Sequence, residues 1–187
     1  MAGKDRAMNG LQLAHVLRAA ADVVGDGRIL VIGSQAVLAS FDADDLPDRA
    51  TMSVEADVAF FDDAEDAKSD QVDGAIGEGS MFHTTFGYYG QGVSVGSATL
   101  PDGWQDRLVP FRLDGVDHGA VCLDIHDLVV SKLVAGREKD FEYAAALVTS
   151  GHVSVELLRE RANLLPVLGA VMRRVLTSID RLERRPG

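Results

Sequence analysis

The stretch from residue 29 to residue 61 constrains the fold more than any other part of the chain. Ile29, Leu30, Val31 and Ile32 form a short apolar run with the character of a buried strand. Gly33 and Ser34 interrupt it, and residues 35–40 read as the start of a helix. Residues 53–61 form a second strand with alternating sides, Val54, Ala56, Val58 and Phe60 on one and Glu55 and Asp57 on the other. A strand, a turn into a helix and then a half-buried strand need a sheet with helices laid over it. The expected fold is therefore mixed α/β, a small mixed sheet flanked by helices.

The polar side of the second strand carries the chemistry. Glu55 and Asp57 point the same way, about 7 Å apart along the backbone. Two such carboxylates repel each other unless a cation lies between them. Mg²⁺ suits the pair, because it is usually held by one or two carboxylates together with substrate phosphates, and Mn²⁺ is the alternative ion. A Gly-Ser turn at a helix start offers free backbone N–H groups to a phosphate. The order, phosphate cradle and then metal strand, points to chemistry on a nucleotide.

Strand, Gly33-Ser34, helix and then Glu55-x-Asp57 on the next strand resembles the nucleotidyltransferase superfamily, with its polymerase-beta-like fold. Arg49 and Thr51 look like the Arg-x-Thr that often leads into the acidic strand. The run DLVVSKLVAGREKD (residues 127–140) is similar to the lysine-bearing helix of bacterial AbiEii-type nucleotidyltransferase toxins. The resemblance spans residues 29–147. It implies Glu55, Asp57 and Lys132 as catalytic, Gly33, Ser34, Arg49 and Arg137 as nucleotide-binding, and an NTP as substrate. It also implies an antitoxin protein as a partner. Glu55 stands where the superfamily usually has Asp, and the connection from Ser34 to Glu55 is long.

Other elements follow from periodicity and turn chemistry. Leu13, Val16, Leu17, Ala20 and Val24 recur at helical spacing, with Gly25, Asp26 and Gly27 as the stop and residues 1–9 as a frayed start. Residues 40–51 are acidic, contain Pro47 and read as a loop; residues 62–76 read as a helix. The glycine- and aromatic-rich run after it offers Phe82, Phe86, Tyr88 and Tyr89, which suit core packing first and base stacking second. His15 and His83 suit packing and a structural hydrogen bond. Residues 108–113 and 120–123 form a hairpin across Asp114-Gly115, with Trp104 over a sheet edge. Asp124 caps the next helix and is one candidate for a third metal ligand. On that helix Lys132 falls within the apolar arc, as a snorkelling lysine or as a cation for the triphosphate. Residues 154–162 and 164–184 read as helices, the second with a basic face (Arg173, Arg174, Arg181, Arg184, Arg185).

The 187 residues suit one nucleotidyltransferase-like domain (1–150) with a C-terminal helical extension (151–187) packed on it. A net charge of −11 argues against a surface that coats nucleic acid generally, while leaving room for a local basic pocket. The single Cys122 cannot form an internal disulfide, no secretory leader opens the chain, and no apolar run reaches membrane-spanning length. The expectation is a cytoplasmic protein without a membrane partner. Two functions compete: metal-dependent transfer of an NMP to a hydroxyl of tRNA, protein or a small molecule, and a binding module that keeps the fold without the chemistry.

Overall fold

The computed structural model describes residues 8–25 and 28–185. Ile29, Leu30 and Val31 are buried throughout because β1 (Ile29–Val31) is the middle strand of its sheet. Its neighbours are β2 (Glu55–Phe60), antiparallel, and β5 (Val116–Cys122), parallel. Outside these lie β3 (Tyr89–Gly92), parallel to β2, and β4 (Val109–Leu113), antiparallel to β5, giving the order β3-β2-β1-β5-β4. The β4–β5 hairpin turns at Asp114 and Gly115, which both have positive φ (51° and 77°), as a tight hairpin turn of this kind demands. The fold is the expected mixed sheet flanked by helices.

The helices are α1 (Gly10–Val24), α2 (Asp48–Thr51), α3 (Ala67–Ile76), α4 (Met81–Phe86), α5 (Ile125–Ala135), α6 (Glu138–Thr149), α7 (Val155–Ala162) and α8 (Gly169–Glu183). On α1, Leu13, Val16, Leu17 and Ala20 are buried as their spacing requires. It ends at Gly25 in the left-handed region (φ 67°); Asp26 and Gly27, read as part of the same stop, lie outside the described residues. The expected fraying at the start fails at its last two residues, residues 1–7 being outside the description. Met8 is buried and its N–H meets the Thr51 carbonyl, while Asn9 and Gln12 exchange the two hydrogen bonds of a capping box.

Four boundaries differ from the sequence reading. The helix expected over 62–76 begins only at Ala67, because Glu65 and Asp66 take positive φ and the Asp63 carboxylate accepts from the N–H groups of Lys68 and Ser69. The acidic loop at 40–51 closes with the short α2. The last helix begins at Gly169, since Pro166 lacks an N–H and disfavours helical backbone before it. β5 also reaches four residues further back than expected, to Val116.

Helices α1 and α3 cover one face of the sheet: a side chain on Gly90 of β3 would run into Ile76 of α3 and Val16 of α1. Gly90 pairs with Ala56, so Glu55 and Asp57 look out of the opposite face, toward α5 and α6. α5 is anchored through Asp127, which is fully buried. Arg107 grips both its oxygens (2.7 and 3.2 Å), and Arg161 of α7 forms an ion pair with it at 3.1 Å. Removing one member of such a set leaves buried charge without a partner. Asp127→Ala is therefore expected to cost about 3–5 kcal/mol in urea unfolding.

Candidate functional site

Asp57 lies at the centre of the site, directly over the Gly33 turn. The Ile32 N–H donates to the Asp57 carbonyl at 3.1 Å, which places the two segments side by side. A Cβ on Gly33 would overlap the Asp57 carboxylate. Gly33 has an ordinary φ of −92°, so it is a close approach, and not a strained backbone, that calls for glycine here. The segment after it is a 3₁₀ stretch (Ser34–Ala39) where an α-helix start was expected. Gln35, fully buried, donates from Nε2 to the Ser53 carbonyl at 2.8 Å and ties this stretch to the approach to β2.

Glu55 is half-buried on the same face, and its Oε2 accepts from the Tyr89 hydroxyl at 3.0 Å. Burial pushes the Asp57 carboxyl up to about 7; the Glu55 charge and a hydrogen bond with Glu55 push the same way, against Lys132 and Arg137.

The cations come from a single corner. α5 ends at Gly136 in the left-handed region (φ 71°), Arg137 caps α6, and Asp140 lies in the first turn of α6. Asp140 is almost wholly buried; it receives Arg137 through both nitrogens (2.6 and 3.2 Å) and holds Lys132 Nζ at 3.5 Å. Lys132 also lies 4.9 Å from the centre of the Tyr143 ring. Burial lowers the Lys132 pKa against the pull of Asp140 and Asp57, and the bond to Asp140 raises that of Arg137. Tyr143 returns to the glycine turn, its hydroxyl donating to the Ser34 carbonyl at 2.9 Å.

Asp57, Lys132 and Arg137 form the common wall of two cavities. One, of about 350 Å³, is bounded by Gly33 and largely by apolar residues such as Val93, Leu128 and Val134. The other, of about 370 Å³, is polar and bounded by Ser34, Arg49, Glu55, Lys139 and Tyr143. Seven of the residues singled out from sequence (Gly33, Ser34, Arg49, Glu55, Asp57, Lys132 and Arg137) therefore meet in one cleft. Arg49 is held there by an ion pair with Glu142 of α6.

Asp124 does not join them. Although burial opposes it, hydrogen bonds from His126 and Asp127 hold its carboxyl below the usual range while it caps α5. Among the described residues no group of three His, Cys, Asp or Glu is arranged to hold a metal. The aromatic run takes its packing role: Phe82, Phe86 and Tyr88 surround His15, whose Nδ1 lies 2.8 Å from the Tyr88 hydroxyl. His83 accepts from the Gly79 N–H, and Trp104 stacks with Phe61. The sequence reading missed Asp140 and Tyr143, and it assigned Tyr89 to packing or stacking where its hydroxyl instead holds Glu55. Asp140 had a signal, an acid three residues after Arg137 at a helix start; the two tyrosines reach the site only through tertiary contacts.

The family model described as a nucleotidyltransferase of unknown function (DUF6036) matches residues 11–167, from α1 to just before α8. No curated protein and no solved structure matches the chain. Among the described residues no helix is long and apolar enough to cross a membrane.

Two outcomes test this geometry. Gly33→Ala is expected to cost about 1–3 kcal/mol in urea unfolding by overpacking, and Asp57→Ala in the same chain should recover part of the loss. The second test concerns pH in EDTA-treated protein. Asp57 releases its proton near 3.8 when unfolded and near 7 when folded, so between these values the folded state binds more protons. Its contribution to stability must therefore fall as pH rises through that window. Compared with Asp57→Asn, the wild type should lose stability from pH 4 to 7 and then run parallel, measured by thermal unfolding.

Proposed function

Since the chain belongs to the nucleotidyltransferases of unknown function, we propose that this cleft transfers an NMP from an NTP to an acceptor hydroxyl. The observation that carries the reading is the Asp57 carboxylate, half-buried over Gly33 beside Glu55 and facing Lys132 and Arg137. Its donor set fits a divalent cation: two adjacent carboxylates raise each other's proton affinity when no cation is between them, and Mg²⁺ needs only one or two carboxylates when phosphates complete its shell. Glu55 and Asp57 would hold Mg²⁺ or Mn²⁺. When bound, such an ion supplies charge stabilisation to the attacking and leaving oxygens.

The chain's own residues do the rest. The apolar cavity takes the nucleoside, which brings the triphosphate to the wall shared by both cavities. There Lys132 and Arg137 bind phosphate oxygens, and Asp140 keeps both cations aimed by accepting from them. Arg49 and Lys139 extend the positive charge into the polar cavity, from which the acceptor approaches. Its oxygen forms the new bond to the α-phosphorus as the bond to pyrophosphate breaks, and its proton leaves to solvent. Negative charge gathers on the departing pyrophosphate, where Lys132 and Arg137 offset it.

Incorporation of radiolabelled NTPs into total RNA and cell protein, with Mg²⁺, tests the reading. Wild type is expected to label an acceptor, with Asp57→Ala and Lys132→Ala each reduced about a hundredfold or more. Lys132→Arg should recover only part, because a guanidinium fork does not reproduce a compact ammonium. NTP binding without incorporation from any of the four nucleotides would favour a binding module. No NTP binding at all would overturn the reading.

A further inference from the structure

The molecule carries a net charge of −11, yet a second basic region adjoins the cleft. Lys132 and Arg137 also border a third cavity, of about 450 Å³, between α6 and α8, whose other cations are Arg174, Arg181 and Arg185. Two acids, Glu138 and Glu142, line it as well, and Glu142 is already paired with Arg49. Arg185 continues into a fourth cavity near the far end of α6, lined also by Arg49 and Ser150. Arg49 in turn belongs to the polar half of the cleft. The cavities therefore form one cationic band along α6, from Arg137 at its start to Ser150 at its end.

The state of these arginines matters more than their number. Arg174 donates to the Val134 carbonyl at 2.6 Å, capping the last turn of α5. The Arg181 guanidinium lies over the Phe141 ring, 4.4 Å from its centre. Among the described residues, neither Arg181 nor Arg185 has a carboxylate within ion-pair distance, and neither does Lys139 at the cleft mouth. By contrast Arg159, on α7, is clasped by Asp180 and Glu183. In a chain with 29 acids and 18 lysines and arginines, three such cations on one band left without acidic partners call for anions from outside.

We propose that this band binds the phosphate backbone of a single nucleic-acid strand and delivers its terminal hydroxyl to the cleft. The 12 residues of α6 span about 18 Å, enough for roughly four nucleotides, the lower end of single-strand site sizes. An anion of one or two phosphates would fill one cavity and leave the fourth cavity without a role. The strand's purpose as acceptor rests on the transfer reading above; its binding does not.

The test is fluorescence anisotropy without NTP, using end-labelled strands of about 12 nucleotides, one RNA and one DNA, beside an acidic peptide of equal charge. Wild type is compared with the double variant Arg181→Gln/Arg185→Gln and with Arg112→Gln on β4 as a remote control. Wild type should bind a strand, with affinity falling as salt rises. The double variant should bind about tenfold more weakly and lose about 1.4 from the salt slope, since each phosphate contact on a single strand contributes about 0.7. Arg112→Gln should match wild type. Binding of RNA, DNA or both in this pattern supports the band and identifies the sugar it accepts. Equal binding by double variant and wild type overturns the proposal, as does a peptide that binds as tightly as either strand. Calorimetry with an NTP on the same proteins separates the two readings. NTP binding without strand binding removes the band alone, and strand binding without NTP binding removes the transfer reading alone.

Discussion

Asp57 sets the terms for the rest of the structure. Its carboxylate is held half-buried by β2, over a glycine and two residues along the strand from Glu55. Such a placement is unfavourable in isolation, because burial and a like charge both oppose ionisation. The surrounding residues read as responses to it. Gly33 has no side chain because the carboxylate occupies that space. Tyr89 donates to Glu55, and Lys132 and Arg137 pull the Asp57 proton affinity back down. A fold selected for stability alone has better uses for that volume; a well-packed apolar group costs less than an uncompensated buried charge.

How the two cations are held explains much of the packing around them. Lys132 belongs to the last turn of α5 and Arg137 caps α6, so only the left-handed turn at Gly136 separates the helices that carry them. A side chain at Gly136 would meet the Arg174 guanidinium, which itself satisfies a carbonyl at the end of α5. Asp140 then draws both cations onto one carboxylate. Further out, Asp127 binds α5 to α7 through Arg161 and to the segment before β4 through Arg107. Rigidity is thus passed from the helical layer into the site through charged contacts as well as apolar ones.

Much of this was legible in the sequence, and the parts that were not share a cause. The apolar run at Ile29, the alternation from Val54 to Phe60 and the Gly33-Ser34 break act over a few residues, so the middle strand, the facing carboxylates and the turn could be placed directly. Asp124 could be read both as a helix cap and as a metal ligand; only the fold shows its oxygen committed to the backbone of α5. Tyr89 and Tyr143 lie 34 and 109 residues from their partners Glu55 and Ser34, beyond any local pattern. The late start of α3 was hidden for another reason. The acidic 62–66 segment suits a first helical turn, but Asp63 spends its carboxylate on the N–H groups of Lys68 and Ser69, which leaves Glu65 and Asp66 in the turn before the helix.

Charge distribution gives the last step. The acids outnumber the basic residues, and the surface as a whole repels polyanions that come within about a screening length. A polyanionic ligand can therefore approach with profit only where cations are concentrated and their acidic neighbours are few. Around the cleft that condition is met by a particular arrangement: Asp140 and Glu142, two of the acids lining these cavities, are each already bound to an arginine from the same wall. Their pairing fixes the positions of Arg137 and Arg49 and reduces the negative field that would otherwise confront an incoming phosphate. Arg181 gains its fixed position in a different way, by lying on Phe141, and so keeps its whole charge for an external partner. An acidic protein can thus hold a basic track without being a general binder of nucleic acid, and the track ends at the half-buried Asp57 carboxylate that the fold keeps beside its cations.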